Sequence, residues 1–325
     1  MVNARSKTET GRTLSSSDMR RYVLPLARAH LGDVLCTTPL PRMLCEQGIK
    51  PYITKHPMTL AVFKNNPYIS GFAKGRRIYP HWKAGSSGLM LERVARWFDL
   101  PADVNPTPEV YLDSAEQSWA ERERKNWPLD RRVCILSCGA TTDKSRLDIV
   151  DWQYVAKTMA ERYTVIQPVL SERPLPGCIA YRGLDVRQYM SLFSVADFFF
   201  GGTSGGSHVA AAFGLPAAIV VWRALLRQIH FPARRRHFKA AFLYPQHSFV
   251  PAEDLATQAF RPDLFDRFLM NAFDLRQSVR GLTPILPRDR RSYSRPSTTT
   301  MANGRFVKIP GIPLMIPSDV ATSAS

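Results

Sequence analysis

The stretch Gly201-Gly202-Thr203-Ser204-Gly205-Gly206-Ser207-His208 is the part of this chain best suited to hold an anion. It follows the apolar run Asp197–Phe200 and leads into Val209–Phe213, an alanine-rich segment with helical character. Small residues let backbone N–H groups approach a ligand closely. A helix that opens there adds a partial positive charge of roughly half an elementary unit. A diphosphate fits such a place, with Thr203, Ser204, Gly205 and Gly206 around it. His208, in the first turn, can either donate to a phosphate oxygen or turn back to cap the loop. The plainer alternative is a glycine-rich strand-to-helix turn with Ser/Thr capping. Three further residues carry charge at positions where parallel α/β domains bind ligands, beyond the carboxyl ends of strands. Asp33 heads a helix after the first strand, as a helix cap or as a general base taking a proton from an attacking hydroxyl. Lys144 lies on a loop after the strand Val133–Ser137, as a surface lysine or as a cation facing a departing diphosphate. Glu172 follows a strand ending near Leu170, where a carboxylate can accept hydrogen bonds from ribose hydroxyls.

Several chemistries lack their residues. No Lys-Ser/Thr pair follows the glycines, so this is not a Walker loop, and the spacing is not that of G-x-G-x-x-G. The sequence holds no D-x-D pair to chelate a metal with a nucleotide, no metal-ligand cluster and no nucleophile elbow. A metal ion is therefore not expected, nor a cofactor beyond a nucleotide co-substrate.

The elements that must position these residues alternate between strand and helix. Arg21–Ala27 reads as a strand, His30-Leu31-Gly32-Asp33 as a turn, and the residues that follow, through Met43 and Leu44, as a helix closed by Gly48. Pro51–Thr54 reads as a strand, His56–Lys64 as a helix, and Asn65-Asn66-Pro67 as a turn. Residues 70–90 read as a long loop, Leu89–Phe98 and Ser114–Lys125 as helices. A second series starts at Arg132. Val133–Ser137, Tyr163–Val169, Asp197–Phe200 and Leu215–Trp222 read as strands. Trp152–Arg162, Asp185–Ala196 and Ser207–Phe213 read as helices, the last capped by Gly214. Such alternation predicts parallel sheets with crossover helices. The division expected is a tail at 1–20, a first domain at 21–130, a second at 131–282 and a basic tail at 283–325. Both tails are polar or rich in Pro, Arg, Ser and Thr, and are expected to be mobile.

With 325 residues, 45% of them hydrophobic, the chain can build real cores. The formal charge of +17 points to an acidic partner: a nucleotide-sugar phosphate, an anionic membrane surface or nucleic acid. Part of that charge is clustered at Arg234-Arg235-Arg236 and at Arg288, Arg290, Arg291 and Arg295. Five cysteines are an odd number for a disulfide framework, and reduced thiols in a cytosol are expected. The longest apolar run, around Leu215–Trp222, is far short of the ~20 residues of a membrane-spanning helix, and no apolar segment of signal-peptide length stands at the N-terminus.

Three stretches together resemble the family-9 glycosyltransferases, which include the ADP-heptose:lipopolysaccharide heptosyltransferases. LGDVLCTTPLPRML (Leu31–Leu44) is similar to the family's opening signature, a Gly-Asp followed by a helix with Thr-x-Pro. NNPYIS (Asn65–Ser70) is similar to its Asn-Pro-x-Ile turn, and VADFFFGGTSGGSHVAAAFGLP (Val195–Pro216) to its donor signature. The resemblance runs in register over residues 21–222. It implies a GT-B fold: two Rossmann-like domains facing a central cleft, the first for the acceptor and the second for the nucleotide-sugar. It further implies inverting transfer by direct displacement with no metal ion. Asp33 matches the family's proposed base, Lys144 falls within one residue of its phosphate-binding lysine, and Ser204, Gly205 and His208 match its donor loop. Two departures stand out. Thr203 occupies the place of an Asp, and WRALLRQIHFPARRR follows Val221 where the family has a loop containing Gly-Pro-Thr.

The expectation is a cytoplasmic enzyme, peripheral to the inner face of a membrane, that moves a sugar from a nucleotide-diphosphate donor to a glycan or a lipopolysaccharide-type, lipid-linked acceptor. ADP-heptose is one candidate donor. The alternatives are a glycosyltransferase acting on nucleic acid, motivated by the arginine clusters, and a catalytically degenerate sugar-nucleotide-binding protein, motivated by Thr203 and the altered 222–236 segment.

Overall fold

The computed structural model describes the backbone of residues 6–7, 13–14 and 23–24 and, in full, residues 30–74, 107–139, 147–169, 173–224, 244 and 246–256. The expected helix at Leu89–Phe98, the tail at 283–325 and the arginine clusters lie outside these residues.

Near the start, β1 (Ser6–Lys7) and β2 (Thr13–Leu14) pair antiparallel, a ladder not anticipated in a segment read as tail. Next comes β3 (Val23–Leu24), in the middle of the expected 21–27 strand. The helix expected through Leu44 is instead two, α1 (Leu31–Leu35) and α2 (Leu40–Glu46). The break has local causes. Thr37 and Thr38 donate their hydroxyls back to the carbonyls of Val34 and Leu35, each at 2.7 Å. Pro39 and Pro41 then remove two backbone donors that a continuous helix would use.

The strands β4 (Tyr52–Thr54) and β5 (Gly71–Ala73) flank α3 (Pro57–Val62). His56 caps α3, accepting from the Met58 amide while Thr59 accepts from the His56 amide. β3, β4 and β5 form a parallel sheet in that order. The start of the expected 70–90 loop is thus a strand, paired to β4 from Gly71 to Ala73.

Beyond residue 107, α4 (Ser114–Lys125) opens with a reciprocal Asp113–Glu116 capping box, the pattern its sequence announces. The second lobe comprises β6 (Val133–Ser137), α5 (Trp152–Ala160), β7 (Thr164–Val169), β8 (Ile179–Arg182), α6 (Val186–Leu192), β9 (Phe198–Gly202), α7 (Gly205–Ala212), β10 (Ala217–Val221) and β11 (His247–Pro251). Its six strands are all parallel, in the order β11-β10-β9-β6-β7-β8. From β6 outward the chain steps to β7 and β8 on one side, then crosses back to β9, β10 and β11 on the other. This is the doubly wound dinucleotide-fold order, and its reversal lies between β6 and β9. β6, β7 and β10 are buried along their whole length, as parallel strands covered on both faces must be. Gly214 ends α7 with φ +64°, the left-handed backbone that glycine adopts at no steric cost.

The two sheets share one hydrophobic cluster. Leu35, Leu40 and Phe63 of the first lobe pack in it with Phe199, Val209 and Ala210 of the second. Arg187 of α6 adds a polar tie: it donates to the carbonyls of Ala61 (3.1 Å) and Tyr111 (2.6 Å) and forms a two-bond ion pair with Glu116 of α4. Although burial opposes its charge, hydrogen bonds from Arg187, Lys64 and the Asp113 amide bring the Glu116 carboxyl down to about 2. No helix among the described residues is long and apolar enough to cross a membrane. All five cysteines are free thiols.

Candidate functional site

The Thr203–Gly205 turn leaves the carboxyl end of β9, on one side of the strand-order reversal, and Cys138 and Gly139 leave that of β6 on the other. The crevice between such loops is where doubly wound sheets take their ligands. Gly201 lets the two strands meet this closely. A Cβ added there would stand 2.3 Å from the Ser137 carbonyl oxygen.

Within the turn, Ser204 is the N-cap of α7. Its Oγ accepts from the Gly206 amide (3.2 Å), while Ser207 Oγ donates to the Ser204 carbonyl (2.8 Å) and accepts from the Ser204 amide (3.4 Å). Thr203, Ser204 and Gly205 are half-buried, whereas every residue from Gly206 to Ala212 is buried. Gly206 is pressed against Tyr189 and Phe199, so the outer face of the turn belongs to Thr203, Ser204 and Gly205.

Opposite the turn stands α1. Asp33 is half-buried in its first turn, where the helix dipole favours a carboxylate. Here α1 and α7 meet closely, with Gly32 and Gly205 leaving room for the Leu31 side chain and the His208 ring between them. A Cβ on Gly205 would lie 3.0 Å from Leu31, and one on Gly32 would lie 3.6 Å from the Gly205 Cα and 2.7 Å from His208 Cδ2. The structure thus sets Gly32, the residue before Asp33, against Gly205, which opens the helix after the Thr203–Ser204 turn, although the two are 173 positions apart in sequence.

His208 is placed differently from either role expected of it. It faces inward, 3% exposed, with Nδ1 in a 2.8 Å hydrogen bond with Tyr244 Oη and 3.5 Å from Cys36 Sγ. The cause is the helix that carries it: α7 is buried from Gly206 to Ala212, so a side chain at 208 has no solvent to reach. The Tyr244 ring meets the His247 ring edge-on at 4.9 Å. Burial lowers the pKa of both imidazoles to about 3 and pushes the Cys36 thiol up, so the cluster is uncharged at neutral pH.

Lys144 and Glu172 lie outside the described residues. The chain just past Glu172 is pinned by Gln167 of β7, fully buried, which accepts from the Leu175 amide (2.7 Å) and donates to the Arg173 carbonyl (3.3 Å). After β10, the Glu253 carboxylate accepts the Arg223 amide, and the Arg223 guanidinium pairs with Asp254. Among the described residues, no group of three His, Cys, Asp or Glu side chains is placed to hold a metal ion.

No protein-family model and no curated protein matches the chain. Solved structures do. The heptosyltransferase II of E. coli, described as an ADP-heptose lps heptosyltransferase, superposes with a TM-score of 0.54 at 14% identity, over 77% of this chain and 99% of its own. A family-9 glycosyl transferase from Veillonella parvula superposes with a TM-score of 0.50 at 12% identity, over 78% and 99%. The fold is that of the family-9 glycosyltransferases. The GT-B expectation drawn from the three sequence stretches agrees with both superpositions.

Tyr244, His247 and Gln167 were not singled out in the sequence, and Gly32 and Cys36 entered it only as the glycine of the Gly-Asp signature and as one of five reduced thiols. A signal existed for Gly32, which precedes Asp33 in the opening stretch, but Tyr244 and His247 sit in no recognisable pattern.

Proposed function

We propose that this chain transfers a sugar from a nucleotide-diphosphate donor to a hydroxyl group of a glycan or lipid-linked glycan, inverting the anomeric centre without a metal ion. The observation that carries the reading is the meeting of two helix starts across the seam between lobes. One bears a carboxylate, Asp33, and the other the serine- and glycine-rich turn Thr203–Gly205. The family-9 fold supports it.

In this reaction the acceptor oxygen attacks the anomeric carbon, its proton passes to the Asp33 carboxylate, and the bond from that carbon to the diphosphate breaks. The electron pair leaves with the nucleoside diphosphate. Charge therefore grows on the departing phosphate, where pre-oriented donors help most. Thr203 supplies a hydroxyl and Gly205 a backbone amide. Ser204, whose oxygen already accepts from Gly206, keeps its hydroxyl proton for a phosphate. Gly206 and His208 act beneath the turn, shaping it. Lys144 serves as the cation facing the departing diphosphate, and Glu172 as the acceptor for ribose hydroxyls. The net charge of +17 suits an anionic, lipopolysaccharide-type acceptor at the cytoplasmic face of a membrane. Because the E. coli neighbour is named for ADP-heptose, that is the first donor to try.

The test is a thermal-shift screen over ADP-heptose and a panel of other nucleotide-sugars, followed by a transfer assay with the donor that binds. Ligand at a hundred times its Kd stabilises the fold by about 2.7 kcal/mol, a readily measured shift. Asp33→Ala should abolish turnover and leave donor affinity within about twofold, since only the proton acceptor is lost. Full turnover by that variant removes Asp33 from the mechanism, and a chain that binds no nucleotide-sugar defeats the proposal.

A further inference from the structure

His208 was expected at the phosphates, yet its ring lies along α1. Its Cδ2 is 2.7 Å and its Nε2 3.1 Å from where a Gly32 Cβ would stand, and its Nδ1 is 3.5 Å from Cys36 Sγ. Gly32 and Cys36 are one helical turn apart, so the imidazole lies against α1 between its first turn and its C-cap, on the face turned toward α7. Tyr244, bonded at 2.8 Å to the same Nδ1 and 3.8 Å from Cys36 Sγ, fixes the ring at its Cys36 end. The ring has little room to swing, being 3% exposed and fixed by that bond.

From this we infer that His208 is a positioning residue. It sets the register of α1 against α7, and thereby the distance from Asp33 to the Thr203–Gly205 turn. The complement on α1 is Gly32: only a residue without a side chain lets its backbone rest on the imidazole, and Asp33 follows directly. The inference rests on the sugar-transfer reading and gives one of its residues a different task. A phosphate ligand at 208 would act on donor affinity. A residue that sets the spacing between base and donor acts on the chemical step, where a displacement of about 1 Å costs on the order of a hundredfold in rate.

The experiment is a double-mutant cycle on the intact chain with Gly32→Ala, His208→Asn and the two combined. Measured for each are kcat and KM for transfer, and the Kd of whichever of ADP, GDP, UDP, CDP and dTDP binds the wild type best. Gly32→Ala drives a methyl into the ring and should lower kcat by about a hundredfold while leaving the nucleotide Kd within about twofold. His208→Asn alone should also lower kcat at unchanged Kd. In the double variant the smaller asparagine makes room for the methyl, so kcat should exceed the product of the single effects by tenfold or more. A role confined to folding would lower the melting temperature without this rescue of kcat. Multiplicative losses in kcat overturn the inference, and so does a nucleotide Kd raised tenfold by His208→Asn, which would return the residue to the phosphates. A wild-type chain that binds nucleotide-sugars but transfers nothing overturns the transferase reading and this inference together, whereas the preceding outcomes sink only the inference.

Discussion

Acid should loosen this protein well before its carboxylates begin to protonate. His208 and His247 are buried, and burial lowers each imidazole to about 3, the second helped down by the first. An unfolded histidine titrates near 6.5. Below that pH the unfolded chain takes up protons that the folded chain refuses, so stability falls as pH falls. The loss per group approaches 1.36 kcal/mol for each pH unit and stops only near the folded pKa. At pH 5 that is about 2 kcal/mol per imidazole and about 4 for the pair, a large share of a typical net stability of roughly 5–15 kcal/mol. The carboxyls of Glu116 and Asp113, held at about 2, lose their contribution only below their unfolded values of 4.5 and 3.8. The window from pH 6.5 to 4.5 therefore isolates the histidines. Urea unfolding followed by tryptophan fluorescence at pH 7.5 and pH 5 measures the difference at constant slope. Replacing His247, whose Nε2 has no hydrogen-bond partner, with phenylalanine should roughly halve the acid loss. Equal stability at the two pH values would refute the argument, and so would a His247→Phe variant as acid-sensitive as the wild type.

Arg187→Met should destabilise by about 2 kcal/mol, because the half-buried Glu116 carboxylate loses its two-bond partner and keeps only Lys64 and the Asp113 amide, and adding Glu116→Gln should recover part of that loss in chemical denaturation. Gly201→Ala should cost about 3 kcal/mol or more, since its methyl would meet a backbone oxygen in a packed sheet, and the variant should express poorly or melt early. Ser204→Ala removes the α7 cap and should cost about 1 kcal/mol in thermal unfolding; if its hydroxyl also meets the donor, KM for the nucleotide-sugar rises while Asp33 chemistry persists.

Much of this architecture was legible in the sequence, for identifiable reasons. Val133–Ser137 and Ala217–Val221 are continuous apolar runs because both faces of a parallel strand are covered. Ser114–Lys125 reads as a helix in the sequence, and α4 has those bounds in the structure. By contrast, β8 alternates between half-buried and exposed residues at the sheet edge, and β11 begins with histidine and ends in proline, so neither looked like a strand. The split between α1 and α2 was missed because the apolar spacing runs on through Leu40 and Leu44 while the prolines interrupt it. At the site, Asp33 and the Thr203–Gly205 turn could each be picked out by residue type. Their meeting could not, because it depends on how two lobes pack. His208 looked available for a ligand because its place in a first turn is visible, whereas burial of the whole α7 surface is a tertiary fact. A hint lay in Val209–Ala212, which offers no polar face to water.

The hydrophobic cluster common to both sheets also constrains how large molecules reach the crevice. Swinging the lobes apart at α1 and α7 would wet Val34, Leu35 and Val209 together, at about 1.5–3 kcal/mol for each side chain. It would also bring the sequestered His208–Tyr244 pair into solvent. A hinge at that point is costly on every turnover. The α1–α7 junction is therefore the part of the crevice wall least able to open.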